Sequence, residues 1–139
     1  MKKLHLEIIT QERQVLTDDV DLILAPAYDG QIGILPGHIG LLTRLQAGEL
    51  YILKGPTMKL LAVSGGLLDV HDDLVTVLAD SAVRAEEIDI LKAEAAQRRA
   101  EEEFKEHLSQ AEFALAEADL RKAVLELKVA RKHHYRHGV

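Results

Sequence analysis

Hydrophobic and polar positions alternate in short runs through the first half of the chain. The runs are rich in Leu, Ile and Val, and turn-forming residues such as Asp29-Gly30, Pro36-Gly37 and Gly65-Gly66 separate them. The seven runs span residues 4–9, 20–25, 40–45, 50–53, 58–63, 67–70 and 74–79. Strands this short, with no helix between them, are expected to pair as antiparallel hairpins. This half of the sequence therefore predicts an antiparallel β-sandwich or barrel, of which we favour the sandwich.

From about Glu87 the apolar residues recur every three or four positions, which is the period of a helix. The first stripe comprises Ala93, Ala96, Ala100 and Phe104. The second comprises Phe113, Ala116, Leu120, Ala123, Leu127 and Ala130. Ser109 and Glu112 between them have the spacing of a capping box. We expect two helices of about 20 and 25 residues that pack as an antiparallel hairpin.

Glycine and proline mark the boundary between these two architectures. All three prolines and eight of the nine glycines lie at or before Gly66, so neither residue interrupts the helical half before Gly138. We predict a β-sandwich domain over residues 1–85 and a helical hairpin over residues 86–139. Alanine stripes bury little surface, at about 25 cal/mol per Å², so the helices should be held loosely, as a conformational switch requires.

Composition excludes several kinds of function. The chain of 139 residues has no cysteine, which removes disulfides and thiolate chemistry, and its five aromatic residues make base stacking on nucleic acid a poor explanation. No stretch approaches the roughly 20 apolar residues of a membrane span. The chain also starts without the apolar stretch of a signal peptide. We expect membrane association only through partner proteins.

Charge is distributed unevenly along the chain. Residues 121–139 carry six basic side chains and one acidic one, a net charge of +5, whereas the first 120 residues carry −11. A basic C-terminal segment in an otherwise acidic chain suggests that this segment binds a specific acidic partner.

Three sequence blocks resemble the epsilon-subunit family of F-type ATP synthases, the bacterial counterpart of the mitochondrial delta subunit. The first is GQIGILPGH at 30–38, followed by LLT at 41–43. The second is SGGLLDV at 64–70, and the third joins VTVLAD at 75–80 to AEEID at 85–89. They occur in the family's order and span both halves. Gln31 stands where the family usually has an acidic residue, and Gly40 where it often has proline.

The resemblance implies a non-catalytic subunit of the central stalk, which rotates with the membrane-embedded c-ring. In the family, the segment at Asp29, Gly30, Gln31, Ile32 and Gly33 is a loop that faces the c-ring, and His38 lies near the gamma subunit. By itself that segment reads as a turn. His38 has no serine or second histidine at a catalytic spacing, so an interface role is favoured over a catalytic one.

The start of the helical half resembles the I-D-x-x-R-A motif that binds ATP in some bacterial members. The residues implied are Ile88, Asp89, Lys92, Ala93, Arg99 and Lys122. Lys92 replaces the motif's arginine and lacks the planar guanidinium group that binds phosphate through two hydrogen bonds. Glu126 places a carboxylate one turn after Lys122, where its negative charge opposes binding of a triphosphate. No cofactor is required on this interpretation, and ATP would be a weak regulatory ligand. The alternative, without the resemblance, is an ordinary capped helix start.

In the family the last helix inhibits ATP hydrolysis by extending into the catalytic head, where it meets the alpha and beta subunits. The basic residues that would do so are Arg121, Lys122, Lys128, Arg131 and Lys132. The implied location is peripheral, on the cytoplasmic face of the bacterial plasma membrane. Three alternatives stay open: a stand-alone ATP-sensing module, a hydrolase or isomerase built on His38, and a helical adaptor with another partner. His133, His134 and His137 read as a solvated tail rather than a metal site.

Overall fold

A computed structural model describes residues 2–106 and 108–136, and His137 of the histidine tail lies outside them. In this part of the chain, contacts cluster into two compact units, one ending at Arg84 and the other beginning at Ala85. The first unit is built of strands and the second of helices, which confirms the predicted β-then-α architecture.

The described part of the first unit contains ten strands. They are β1 (Leu4–Ile9), β2 (Gln14–Val20), β3 (Leu22–Ala27), β4 (Gly30–Ile34), β5 (Leu41–Leu45), β6 (Gly48–Lys54), β7 (Thr57–Val63), β8 (Gly66–His71), β9 (Leu74–Ala79) and β10 (Ala82–Arg84). The hydrogen-bonded order is β10-β7-β6-β3-β5-β8-β9-β1-β2, and β4 pairs with β3. Arg84 joins the two ends of this order, because its guanidinium on β10 donates to the Val15 carbonyl on β2.

Seven of the strands coincide with predicted runs, and three do not. β2 was missed because only three of the seven residues of QVLTDDV are apolar, β10 because it has only three residues, and β4 because it was interpreted as a loop. The expectation of purely antiparallel pairing was also wrong, since β1 pairs with β9 in parallel. These two strands lie at opposite ends of the unit's sequence, so the whole intervening chain serves as the crossover.

The core of the β unit follows from alternation along its strands. In β1, Leu4, Leu6 and Ile8 are fully buried, whereas the residues between them are partly exposed. The buried cluster extends from Leu4 to Ala82 and is aliphatic throughout. Burial of these side chains provides the main favourable free energy of folding for the unit.

The second unit begins with a 3₁₀ turn, Ala85–Glu87, and contains α1 (Ile90–Glu103) and α2 (Gln110–Arg136). At 14 residues, α1 is shorter than predicted, because Asp89 caps it and the acidic pair before Asp89 belongs to the separate 3₁₀ turn. The helices pack against each other, and most of the buried side chains in this unit are small, with Leu127 and Val129 as the larger ones. The buried alanines are Ala93, Ala100, Ala116, Ala123 and Ala130.

Candidate functional site

The outer face of the β unit carries an unusual concentration of exposed leucine. Leu42 on β5, Leu67 on β8 and Leu78 on β9 are 71%, 43% and 47% exposed. Their strands are adjacent, and Leu67 lies directly opposite Leu78. We call these three side chains the leucine face. A cluster of exposed apolar side chains on a rigid sheet is typical of an interaction surface.

A shallow cavity of about 390 Å³ opens at one end of the leucine face. Its lining includes Tyr28, Asp29, Leu42, Arg44 and Leu67. Strand pairing fixes these positions, because Arg44 lies opposite Leu67 and the Tyr28 amide donates to the Arg44 carbonyl, 2.9 Å away. Tyrosine and arginine around an apolar depression form the kind of pocket in which protein interfaces concentrate binding energy.

The structure corrects the conformation predicted for the segment from Asp29 to Gly33. Only Tyr28 and Asp29 form a turn, and Gly30–Ile34 is strand β4, which pairs with β3. Gln31 and Gly33 are exposed, whereas Ile32 packs against the core. Asp29 also lines the cavity beside the leucine face, so the hairpin tip and that face form one continuous region.

His38 lies apart from that region, in a separate cavity of about 490 Å³ whose lining includes His71, Asp72 and Asp73. Its Nδ1 donates to the Ile39 carbonyl at 2.7 Å, because a carbonyl can only accept. Asp73 accepts from the Gly37 amide at 2.6 Å and so holds the loop. No serine hydroxyl or carboxylate hydrogen-bonds to His38 in the described residues, and the arrangement therefore offers no nucleophile-and-base pair.

At the start of α1, three residues of the predicted nucleotide site, Ile88, Asp89 and Ala93, have structural roles of their own. Asp89 is the N-cap, and its carboxylate accepts from the Lys92 amide at 3.2 Å. Ile88 donates its amide to the Ala85 carbonyl, and Ala93 is buried. The side chains of Lys92 and Arg99 are exposed seven residues apart, and neither forms an ion pair with the described part of the chain. The ordinary capped helix start accounts for these contacts.

Glu126 is the one acidic side chain among the basic residues of α2. Partial burial raises the pKa of Glu126, and the positive charge of Lys122 one turn earlier lowers it by a smaller amount. The carboxylate is therefore more readily protonated than an exposed glutamate, although it still places negative charge beside Lys122.

The basic residues at positions 121, 122, 128, 131 and 132 are exposed and point in three directions around α2. Arg121, Lys128 and Lys132 are seven and four residues apart, so they fall within about 40° of one another around the helix. Lys122 and Arg131 point to other sides. Arg121 also forms an ion pair with Glu117. We call Arg121, Lys128 and Lys132 the basic stripe.

Metal binding and membrane spanning find no support in the described residues. They contain no group of three His, Asp or Glu side chains arranged to hold a metal ion. None of their helices combines the length and apolar character needed to cross a bilayer.

The leucine face is a candidate interaction surface that the sequence interpretation missed. Its signal was present, because Leu41-Leu42 and Leu67-Leu68 place apolar residues on both sides of a strand where strict alternation requires only one. Two consecutive leucines in a strand suggest that the strand is buried on both faces. In each of these pairs, however, one leucine is exposed.

Sequence comparisons agree with the resemblance noted above. Residues 3–85 match the family described as "ATP synthase, Delta/Epsilon chain, beta-sandwich domain". The ATP synthase epsilon chain of Syntrophobacter fumaroxidans is 44% identical over 131 residues, covering 94% of this chain and 98% of that relative. The epsilon chain of Chloroflexus aurantiacus is 50% identical over 130 residues, covering 94% of both.

Solved structures share the fold. A chain of the Euglena gracilis mitochondrial ATP synthase, determined by cryo-EM as an OSCP/F1/c-ring assembly, has a TM-score of 0.74 at 25% identity, covering 87% of this chain and 77% of that one. A chain of the Tetrahymena thermophila central stalk and c-ring has a TM-score of 0.63 at 18% identity, with coverage of 94% and 99%. The second likeness concerns the fold alone.

Proposed function

The chain belongs to the epsilon-chain family of ATP synthase, and from that premise we propose that it is a non-catalytic rotor subunit whose β unit binds the central shaft through the leucine face. The observation that carries this proposal is the exposure of three leucines on adjacent strands beside Tyr28 and Arg44. A rotor subunit must not slip under torque. A hydrogen-bonded sheet that presents a fixed apolar surface meets that requirement.

The partner at the leucine face is the gamma subunit, and the tip of the β3–β4 hairpin faces the c-ring. The tip at Asp29 and the leucine face line the same cavity, so one rigid unit can contact both partners. Association with the membrane would then be peripheral, on its cytoplasmic face, and would depend on these subunits.

Binding to purified gamma subunit tests the assignment. We expect Leu42→Ala and Leu67→Ala each to weaken binding about tenfold, because a truncated hot-spot side chain costs more than about 1 kcal/mol. Leu91→Ala is the matched control, since Leu91 is a 78% exposed leucine on α1. Equal affinities for all three variants would exclude the leucine face as the binding surface.

The helical unit acts as a brake on ATP hydrolysis, with the alpha and beta subunits as partners when the helices extend. The basic stripe supports this role, because it presents three cations in one direction. Truncation after Asp89 should leave ATP synthesis by the assembled enzyme largely intact and raise its hydrolysis. Unchanged hydrolysis would contradict the inhibitory role of the helices but not the coupling role of the β unit.

Charge removal can separate the stripe from the rest of the helix. Alanine at Arg121, Lys128 and Lys132 together should reproduce the effect of truncation on hydrolysis. Arg98→Ala, which removes an exposed cation from α1, should not. Hydrolysis that responds equally to both changes would indicate a general effect of net charge.

ATP is at most a weak regulatory ligand of this unit. Lys92 lacks the fork of arginine, and Glu126 sets a negative charge beside Lys122. Calorimetry with ATP on the isolated chain should give weak binding that Glu126→Gln strengthens by up to about fivefold and Lys122→Gln weakens, in line with the energies of exposed charge pairs. Tight binding by the unaltered chain would favour the stand-alone sensor instead.

A further inference from the structure

The contact between α1 and α2 is uneven along its length. Buried alanines recur at intervals of seven on both helices, at Ala93 and Ala100 on α1 and at Ala116, Ala123 and Ala130 on α2. Alanine lets two helices approach closely but removes little apolar surface from water. This part of the contact therefore holds the helices in register without holding them strongly.

Two large side chains meet where the alanine seam ends. The rings of Phe104 and Phe113 lie edge to face with their centroids 5.1 Å apart and their planes at 70°. This is a preferred geometry for aromatic pairs, which attract each other beyond the effect of the area they bury. The pair joins the C-cap of α1 to the first turn of α2.

The ends of both helices fix these two rings. Phe104 is the C-cap of α1, and its amide donates to the carbonyls of Ala100 and Glu102. The Phe113 amide donates to the Ser109 carbonyl at 2.9 Å. The Ser109 hydroxyl in turn caps α2, because it accepts from the Glu112 amide and donates to the Glu112 carboxylate. The rings therefore meet at low conformational cost as long as the turn between the helices keeps its shape.

We propose that the Phe104–Phe113 pair is the clasp that sets the balance between the closed and the open helical hairpin. Straightening the turn between the helices must break this contact, because Phe104 and Phe113 are nine residues apart in the chain and would lie about 13 Å apart along one continuous helix. The clasp itself is a property of the isolated chain, whereas its regulatory consequence rests on the brake proposed above. A weaker clasp would raise the open population and so strengthen inhibition of hydrolysis.

The distance between the helices tests the clasp directly in the full chain. Because the chain has no cysteine, Arg98→Cys and Asp119→Cys would carry the only two spin labels. Both sites are exposed and lie six residues from Phe104 and Phe113 respectively. We expect one short distance for the parent chain and a second, longer distance after Phe104→Ala or Phe113→Ala.

The closed-to-open ratio should fall about tenfold for either alanine, and the double variant should add little. Phe113→Leu keeps apolar bulk and should give an intermediate ratio. Leu115→Ala is the control, because Leu115 is a 68% exposed side chain two residues further along α2. Unchanged distances in both phenylalanine variants would overturn the clasp. A loss of helix content in these variants, measured by circular dichroism, would also overturn the clasp, because the aromatic pair would then be needed to form the helices rather than to hold them together.

Hydrolysis by the assembled enzyme separates the clasp from the brake. Lower hydrolysis in the phenylalanine variants, together with the longer label distance, supports both. A longer distance with unchanged hydrolysis supports the clasp and contradicts the brake. An unchanged distance contradicts the clasp whatever the rate of hydrolysis.

Discussion

Individual residues of the β unit are constrained as much by backbone geometry as by side-chain chemistry. Gly66 has a φ of +129° and begins β8, where it pairs with Leu45 on one side and Ala79 on the other. A Cβ atom there would lie 2.1 Å from the Leu78 carbonyl oxygen. Neighbouring strands leave no room for a side chain, and the requirement for glycine at this position is steric as well as conformational.

Gly66→Ala should therefore be more damaging than a change at a glycine with similar φ but free space. Gly30 is the matched case, with a φ of +124° and no described atom within 4 Å of the position that a Cβ would take. We expect Gly30→Ala to lower the free energy of unfolding by about 1–2 kcal/mol through strain alone, and Gly66→Ala to lower it by more than about 3 kcal/mol. Urea denaturation measures both. Equal losses would show that steric contact is unimportant at Gly66.

His5 gives the β unit a dependence on pH. Its Nδ1 lies 2.8 Å from an Asp19 carboxylate oxygen, and its Nε2 lies 3.4 Å from a Glu7 carboxylate oxygen. The hydrogen bond with Asp19 is the largest influence and raises the pKa of His5, and Glu7 adds to it against a lowering by desolvation. The ring binds its proton more tightly in the folded chain than in the unfolded one, so protonation stabilises the fold.

The contribution of His5 is complete below the ordinary histidine pKa of 6.5 and is lost as pH rises through the raised folded-state pKa. We expect His5→Gln to remove this small decline in melting temperature across neutral pH. His71→Gln should retain it, because His71 is exposed on β8 and forms no ion pair with the described residues. A His5→Gln chain with the parent's pH profile would exclude the His5–Asp19 pair as its source.

At the scale of elements, local signals indicated the type of each helix better than its length. The spacing of Ser109 and Glu112 predicted a capping box, and the structure has its first bond, from the Glu112 amide to the Ser109 hydroxyl at 3.2 Å. The Glu112 carboxylate accepts from the Ser109 hydroxyl at 2.9 Å rather than from the Ser109 backbone N–H. The start of α1 was misplaced because Glu86, Glu87 and Asp89 all suit a helix N-terminus. Only the geometry shows that Asp89 accepts the capping hydrogen bond.

Ser109→Ala should loosen the first turn of α2, whereas Ser109→Asn should preserve it. Loss of an N-cap acceptor costs about 1 kcal/mol, and an asparagine amide can replace the hydroxyl both as acceptor from the Glu112 amide and as donor to the Glu112 carboxylate. Hydrogen exchange at the Glu112 amide should accelerate about fivefold in the alanine variant. Similar acceleration in both variants would mean that the capping hydrogen bond does not stabilise this turn.

Strands were predicted where apolar residues are dense and missed where pairing alone defines them. β10 has three residues and is held by β7, and β4 is held by β3, so neither has a periodic signal of its own. The parallel pairing of β1 with β9 also has no local signal, because it depends on how the strands between them are arranged. The leucine face was missed for a related reason, since exposure is a property of the assembled sheet.

At the scale of the whole molecule, the division into two units agrees with a division of physical roles. The buried aliphatic cluster lies entirely between Leu4 and Ala82, within the first unit. The described part of the helical unit buries mainly alanines, together with Leu127 and Val129, and has one aromatic pair. The surface proposed for docking and the hairpin proposed for regulation therefore lie in separate stretches of one chain, in agreement with the lack of glycine and proline between Gly66 and Gly138.

A chain that ends at Arg84 should therefore fold without the helices and keep the docking function. It retains the complete aliphatic core and the bond from Arg84 to the Val15 carbonyl that joins the two ends of the strand order. We expect a cooperative thermal transition within about 8 °C of the β-unit transition in the full chain, equivalent to a change near 1 kcal/mol. Affinity for the gamma subunit should be unchanged, and Leu42→Ala should weaken it as in the full chain. A truncated chain that melts without cooperativity would show that the helices complete the β fold, and regulation could then not be separated from docking.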